Sequence, residues 1–464
     1  MQAGRVELKR SLKLSHLILM GLAYMTPMVV FDTFGIVSEM TNGHVPTAYI
    51  LALAAMLLTA VSYKKMIQVY PTAGSAYTYT QKSINPHLGF MVGWAALMDY
   101  LFLPMVNALI FQIYLSSIFP AVPEWIWIVG FVAVVTLLNL LSVNSTANFN
   151  TFLVIFQACI ILLFIGMAVK YILNGGGASS AFSVRPFYQE GADMSLLIAG
   201  ATLLCFSYLG FDAVAMLAEE TPNPKKMIPR AIFLTALIGG IMFITASYFI
   251  QSVFPDVSAF KDPEASSPEI AASMGGAIFQ FLFIAGGIAG TIASGISSHA
   301  SVARLLYVMG RDRILPEKFF GYVHPKLRTP VLNIILVGGF SLTAVFFSLA
   351  TATSFISFGA LIAFTFVNLS VIAHYVFKKR EHMSIKGSFT YIVMPLLGAA
   401  TVAVLWVNLE QNSLILGISW SFVGFLYLVY LTRMFKKKPG NIEFSEMEEL
   451  EPATLIENSK TMDV

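Results

Sequence analysis

The chain has 464 residues, of which 57% are hydrophobic and only 11% charged, with a mean hydropathy of +0.75. A soluble protein of this length needs a larger charged surface, so composition excludes the soluble classes and points to an integral membrane protein. The net charge of +3 says little about partners, and no nucleic-acid partner is expected.

Residues 1–14 are polar and carry Arg5, Lys9, Arg10 and Lys13. No short apolar segment with a small-residue cleavage site follows them, so no cleaved signal peptide is expected. A helix needs about 20 apolar residues to cross the hydrocarbon core, with its backbone polar groups satisfied internally. Twelve runs meet that description: 15–38, 46–66, 88–118, 123–143, 149–172, 194–218, 230–253, 274–302, 329–349, 353–377, 388–408 and 413–433. The loop before the eighth run sets Asp256, Asp262, Glu264 and Glu269 against Lys261 alone. Residues 436–464 are basic and then acidic, the pattern of a disordered tail.

Lys and Arg set the orientation of such a chain. With the N-terminus inside, Lys170, Arg185 and Lys261 are the only basic residues on the outer side, and the other 25 of 28 lie inside or in the inner loops. Both termini are therefore expected in the cytoplasm.

The first and sixth runs are interrupted. "LAYMTPMVVFD" contains Pro27, which removes a backbone donor and disfavours helix at Thr26. "SYLGFD" contains Gly210. Five spans separate the start of one from the start of the other, an odd number, so a second half starting at run six would have inverted topology. Interrupted helices at matching positions of inverted halves mark a transporter site near mid-membrane. Simple kinks are the bland reading of the same residues.

Three acids lie within the runs, Asp32, Asp99 and Asp212, and no Lys or Arg lies deep in any of them. An ionisable group at a helix centre costs at least ~2.5–3.5 kcal/mol, so it is a functional candidate by default. Acids without a deep base call for a cation: a proton, a metal ion or an organic ammonium. Asp212 follows the sixth-run break within two positions, and an ammonium partner competes there with a protonated acid bonded to a neighbouring carbonyl. Asp99 lies well inside the third run with Asn107, while Asp32 either lines an outer vestibule or caps the broken first helix. Tyr24, Phe206, Tyr208 and Phe211 surround the breaks, where aromatic faces hold ammonium groups or simply pack. His299 reads as a packed histidine, "AGGIAGTIASG" as close helix packing, and Glu219 and Glu220 as a salt-bridge cluster with Lys225 and Lys226. No P-loop, HExxH or clustered Cys/His set is present, and Cys159 and Cys205 lie in apolar runs; no enzyme activity, metal, disulfide or cofactor is expected.

Several stretches carry a resemblance. "MGLAYMTPMVVFDTFGIVS", "CFSYLGFDAV", "EETPNPKKMIPRAIFLTA" and "ASGISSHASVARLLYVMGRD" are among segments covering nearly all of residues 5–435. Over these the chain resembles the amino acid–polyamine–organocation superfamily, most closely its bacterial putrescine importers. The resemblance implies an all-α LeuT-type fold, with spans in 15–172 and 194–377 as 5+5 inverted repeats and two extra helices in 388–433. It implies a substrate site at broken helices one and six, with help from spans three, eight and ten. Asp212 matches the position of an acid that serves amine substrates, and Phe206 that of an aromatic gate. One departure is clear: some proton-coupled relatives carry a lysine on span five facing helix one, where this chain offers Gln157 and no deep lysine.

The expectation is a bacterial plasma-membrane importer of putrescine or a similar small aliphatic amine, coupled to protons or sodium. Substrate contacts are expected from Asp212, Asp99, Tyr24, Thr26, Pro27, Phe206, Tyr208, Gly210 and Phe211, with Asp32, Asn107 and Gln157 in the vestibule or coupling route. An amino-acid permease is the other transport reading. An amine-binding sensor is a third, disfavoured by the short inner extensions.

Overall fold

The computed structural model describes residues 10–72, 75–119, 121–141, 143–177, 183–189, 192–255, 266–347, 349–381, 384–409, 411–436 and 439. The outer-loop residues Asp256, Lys261, Asp262 and Glu264, and nearly all of the expected tail, lie outside these. Among the described residues every regular element is helical and none is a strand. That follows from the composition, since a helix satisfies its own N–H and C=O groups in hydrocarbon.

The elements in chain order are α1 (Leu14–Met25), α2 (Val29–Met40), α3 (Val45–Val69), α4 (Ser75–Ser83), α5 (Pro86–Ile118), α6 (Glu124–Leu140), α7 (Val143–Leu173), α8 (Met194–Leu204), α9 (Pro224–Val253), α10 (Ser266–Arg311), α11 (Glu317–Phe320), α12 (Val331–Ser341), α13 (Leu349–Ile372), α14 (Ile385–Ser388), α15 (Met394–Val407) and α16 (Gln411–Leu431). Proline sits in the first turn of α3, α5, α9 and α15, where a missing N–H costs nothing. Asn85 and Asp193 cap α5 and α8, each accepting a 2.8 Å bond from the backbone N–H two residues on.

Among the described residues nine helices are long and apolar enough to cross a membrane, or ten when α1 and α2 count as one span bent by 43°. The chain is a multi-pass membrane protein. Two shorter apolar helices, Glu124–Leu140 and Val331–Phe346, stand where the fourth and ninth runs were expected. The second ends in a 3₁₀ turn over Leu342–Phe346. The seventh and eighth helices begin earlier than expected, at Pro224 and Ser266, because polar first turns extend beyond the apolar stretch that hydropathy detects. α10 is not continuous: Gly276 has φ 66° and ψ −167°, which breaks the helical path.

The interior is built from α1, α2, α3, α5, α7, α9, α10 and α13 with the irregular segment after α8, and its buried aromatics include Tyr49, Tyr63, Phe31, Phe164, Phe211 and Phe283. Glycines let backbones approach. A Cβ on Gly359 of α13 would lie 2.5 Å from Ala95 O and 3.0 Å from Asp99 Cβ on α5. In α10, a Cβ on Gly290 would meet Thr26 at 2.7 Å, so close packing explains that small-residue stretch. The last two spans are peripheral, with 22% and 17% of their apolar windows buried against 83% for the α5 span.

One expectation needs correcting. Glu219 and Glu220 do form ion pairs, but their partners are arginines of α10. Arg304 Nε pairs with Glu220 Oε1, and Arg311 with Glu219 Oε1 at 2.6 Å. Asn223 turns the chain in a left-handed conformation and Pro224 starts α9, which carries Lys225 and Lys226 out to the exposed surface. The Arg304–Glu220 pair is buried, at 8% and 1% side-chain exposure. Removing one partner from such a pair costs about 3–5 kcal/mol, because the other charge stays buried and alone. Arg304→Met should therefore lower the detergent melting temperature sharply. Adding Glu220→Met should restore most of it, as fluorescence-detected unfolding would show.

Candidate functional site

The site begins with two backbone interruptions that face one another. α1 stops at Met25 because Pro27 offers no N–H and Thr26 takes φ 55°, a left-handed conformation rare for a non-glycine residue. α2 resumes at Val29. The second interruption follows α8. A 3₁₀ turn, Cys205–Tyr208, leads to Leu209 at ψ 131° and Gly210 at φ 108°, and a second 3₁₀ segment, Ala213–Glu220, follows Asp212. A Cβ on Gly210 would lie 1.9 Å from Tyr24 Cδ1. Only glycine permits both that φ and that approach.

Side chains from distant helices satisfy the freed backbone groups. Ser294 of α10 donates to Tyr24 O at 2.9 Å, and Asn107 of α5 donates to Ser294 Oγ at 3.0 Å. Gln157 of α7 accepts from Met28 N at 3.4 Å, directly at the first break. Gln157 thus holds the backbone with a neutral amide.

The three membrane acids fall into two settings. Asp32 sits in the first turn of α2, where the helix's positive end favours a carboxylate, and accepts a hydrogen bond from Tyr114. It lines a cavity of about 30 Å³ together with Tyr24, Thr26, Asn107, Phe206 and Ser294. A cavity of that size holds one or two waters, so admitting anything larger requires its walls to move.

Asp212 and Asp99 form the other setting and do not line this cavity. Asp212 Oδ2 accepts from Tyr63 at 2.9 Å and from Tyr100 at 3.2 Å. Asp99 lies close enough to Asp212 for their charges to interact, and its Oδ1 is buried without a hydrogen-bond partner. The Tyr24 hydroxyl is likewise buried and unpartnered, with its ring 6.5 Å from that of Tyr100. Among the described residues, none of Asp32, Asp99 and Asp212 forms an ion pair; the pairs observed lie between Glu219 and Glu317.

Of the aromatics, Phe206 and Tyr24 line the cavity, whereas Tyr208 and Phe211 do not. Tyr208 donates to Tyr49 O at 3.3 Å and packs on Phe243; Phe211 packs on Tyr63 and Phe364. His299 is packed, its Nε2 2.8 Å from Ile334 O. Among the described residues no group of His, Cys, Asp and Glu is placed to hold a metal, and both cysteines are free.

A model of the amino acid permease family matches residues 16–431. The chain belongs to the amino acid permease family. Among characterised proteins, this permease is 52% identical over 433 residues to the low-affinity putrescine importer PlaP of Escherichia coli K12, covering 93% of this chain and 96% of that protein. It is 24% identical over 453 residues to the branched-chain amino acid permease BcaP of Bacillus subtilis, and 26% identical over 458 residues to that organism's methylthioribose transporter.

Sequence reasoning missed the residues that surround Asp212 in the permease. Tyr63 and Tyr100 are 149 and 112 residues from it in the chain, and nothing local distinguishes them from packing tyrosines. Ser294 had only a faint signal, a hydroxyl in a small-residue stretch. The Tyr24–Gly210 apposition gives a direct test. Gly210→Leu must displace the Tyr24 ring, so ligand-induced thermal stabilisation should be lost while the unliganded protein remains monodisperse. A leucine variant stabilised by amine as well as the wild type would mean that the two breaks can separate without harm.

Proposed function

We propose that this permease imports putrescine or a similar small aliphatic amine across a bacterial plasma membrane, by alternating access and driven by an ion gradient. The observation that carries the reading is the pair of buried carboxylates, Asp212 and Asp99, enclosed by membrane helices and, among the described residues, in no ion pair with a basic side chain. An organic dication supplies what the protein omits. Identity of 52% to an importer named for putrescine, over nearly the full length of both chains, supports the same substrate class.

In this reading the architecture is a LeuT-type 5+5 inverted repeat of twelve spans, with both termini cytoplasmic. The two shorter apolar helices complete the count. Residues 15–172 and 194–377 are the repeats, and the peripheral α15 and α16 are additions. Asp212 holds one ammonium, with Tyr63 and Tyr100 orienting its carboxylate. Asp99 holds the other, near the free Tyr24 hydroxyl. Burying a dication with only one counter-charge would leave the second ammonium desolvated at a cost of several kcal/mol. Phe206 closes the outer side, and movement around the paired breaks opens the small cavity.

Uptake of radiolabelled putrescine by proteoliposomes, with proton and sodium gradients imposed separately, tests the function. Asp212→Asn should abolish uptake at equal abundance. Asp99→Asn should weaken competition by putrescine about tenfold or more, and competition by butylamine little, because only the diamine loses a counter-charge; tenfold corresponds to ~1.4 kcal/mol. Equal losses for the two amines would assign Asp99 to structure or coupling.

Coupling to protons is the second part of the proposal. Gln157 cannot titrate, so in this proposal the proton rides on a membrane acid, Asp99 or Asp32. Substrate entry should then acidify the lumen of inward-transporting vesicles, seen with a trapped pH dye. Uptake driven by sodium alone and indifferent to a pH gradient would refute this.

The amino-acid permease reading keeps one observation in its favour, the likeness to BcaP over comparable lengths. At 24% identity against 52% it is the weaker comparison.

A further inference from the structure

Away from the substrate site, three segments distant in the chain converge at one end of the bundle. α3, in the turn before its last, brings Lys64 and Lys65. The π-helical turn that ends the α13 span, Ala373–Lys378, continues into Lys379 and Arg380. The start of the next span brings Lys386 and Tyr391. Side chains lock the three together: Tyr375 stacks on Tyr391 at 4.2 Å and 8°, Tyr375 OH donates to Lys65 O at 3.4 Å, and Lys65 Nζ lies 5.1 Å from the Tyr391 ring centroid.

Six cations thereby share one patch with a single acid, Glu381. Lys65 feels the charges of Lys64, Lys386 and Glu381 together. None of the six forms an ion pair among the described residues, and Lys64, Lys378, Lys379, Arg380 and Lys386 are exposed. This separates the patch from the basic segment at the end of α10, whose Arg304, Arg311 and Arg313 all have acidic partners. Like charges held this close repel, and stacking keeps them there with Glu381 alone, among the described residues, to offset the repulsion.

The second observation is apolar. Phe377, Ile385 and Phe389 stand among the cations at 76%, 93% and 56% exposure. In water such residues are a liability; at a bilayer surface they enter the acyl boundary while lysine and arginine stems reach the headgroup level. Basic clusters next to spans attract anionic leaflets in this way.

We propose that this junction is a binding site for the headgroup of an anionic phospholipid, with Lys64, Lys379, Arg380 and Lys386 around the phosphate and Phe377, Ile385 and Phe389 against the chains. Charge complementarity and apolar flanks together select a lipid over a free anion. The site is independent of what the permease carries.

The test uses the full chain in mixed micelles with phosphatidylcholine or phosphatidylglycerol, read by thermal unfolding. Phosphatidylglycerol should raise the wild-type melting temperature by several degrees above phosphatidylcholine. A variant carrying K64Q, K379Q, R380Q and K386Q should lose most of that gain and melt like the wild type in phosphatidylcholine. A second variant, K225Q with K226Q and R230Q, removes exposed cations elsewhere and should keep the gain. The proposal fails if both variants lose it equally, since the effect would then be diffuse charge. It also fails if neither variant loses it, or if inorganic phosphate reproduces it in the absence of anionic lipid.

Discussion

Everything at the centre of this protein depends on interrupting two helices where no water satisfies the exposed backbone. In hydrocarbon, irregular backbone survives only where neighbouring groups replace the lost helical bonds. The freed Tyr24 carbonyl and Met28 amide are met by Ser294 and Gln157, and Asn107 braces Ser294 in turn. The two breaks also need each other. Gly210 and Tyr24 approach so closely that any side chain at 210 would overlap the ring. α1, α5, α7, α8 and α10 are thus tied to one point, and the packing of the bundle radiates from it.

Charge is distributed to match. At the end of the bundle, where Glu219, Glu220, Arg304 and Arg311 meet, acids and bases neutralise one another. In the interior, Asp212 and Asp99 stand near each other with tyrosine hydroxyls and, among the described residues, no ion-paired base. A low-dielectric interior makes two such carboxylates costly unless a proton or a cation joins them. Positive charge entering beside these two acids would relieve that cost.

The described conformation is closed around the break. Phe206 and Tyr24 wall a cavity with room for water alone, and Asp212 and Asp99 lie outside it. In transporters built on paired broken helices, rocking one set of helices against the other is the usual motion. The glycine-mediated approach of α13 to α5 at Gly359 and Asp99 packs a second helix directly beside the acids. The peripheral α15 and α16 bury little of their apolar windows, although α16 is fastened to α5 where Trp94 and Trp420 stack and each donates to the other's backbone carbonyl.

Composition and chain-local chemistry by themselves determined the membrane class, the positions of the apolar runs, the interruptions at Pro27 and Gly210, and the three acids within spans. Each of these is a property of one residue or of a short window, so it is legible without folding. Partnership is not. Glu220 meets Arg304 rather than Lys226 because Asn223 and Pro224 redirect the chain. Tyr208 and Phe211 are near the break in sequence yet point into packing, while Tyr63 and Tyr100 arrive from other helices to hold Asp212. Which side of an irregular segment a side chain faces depends on backbone torsions at Leu209 and Gly210, and those are settled by the helices packed around them.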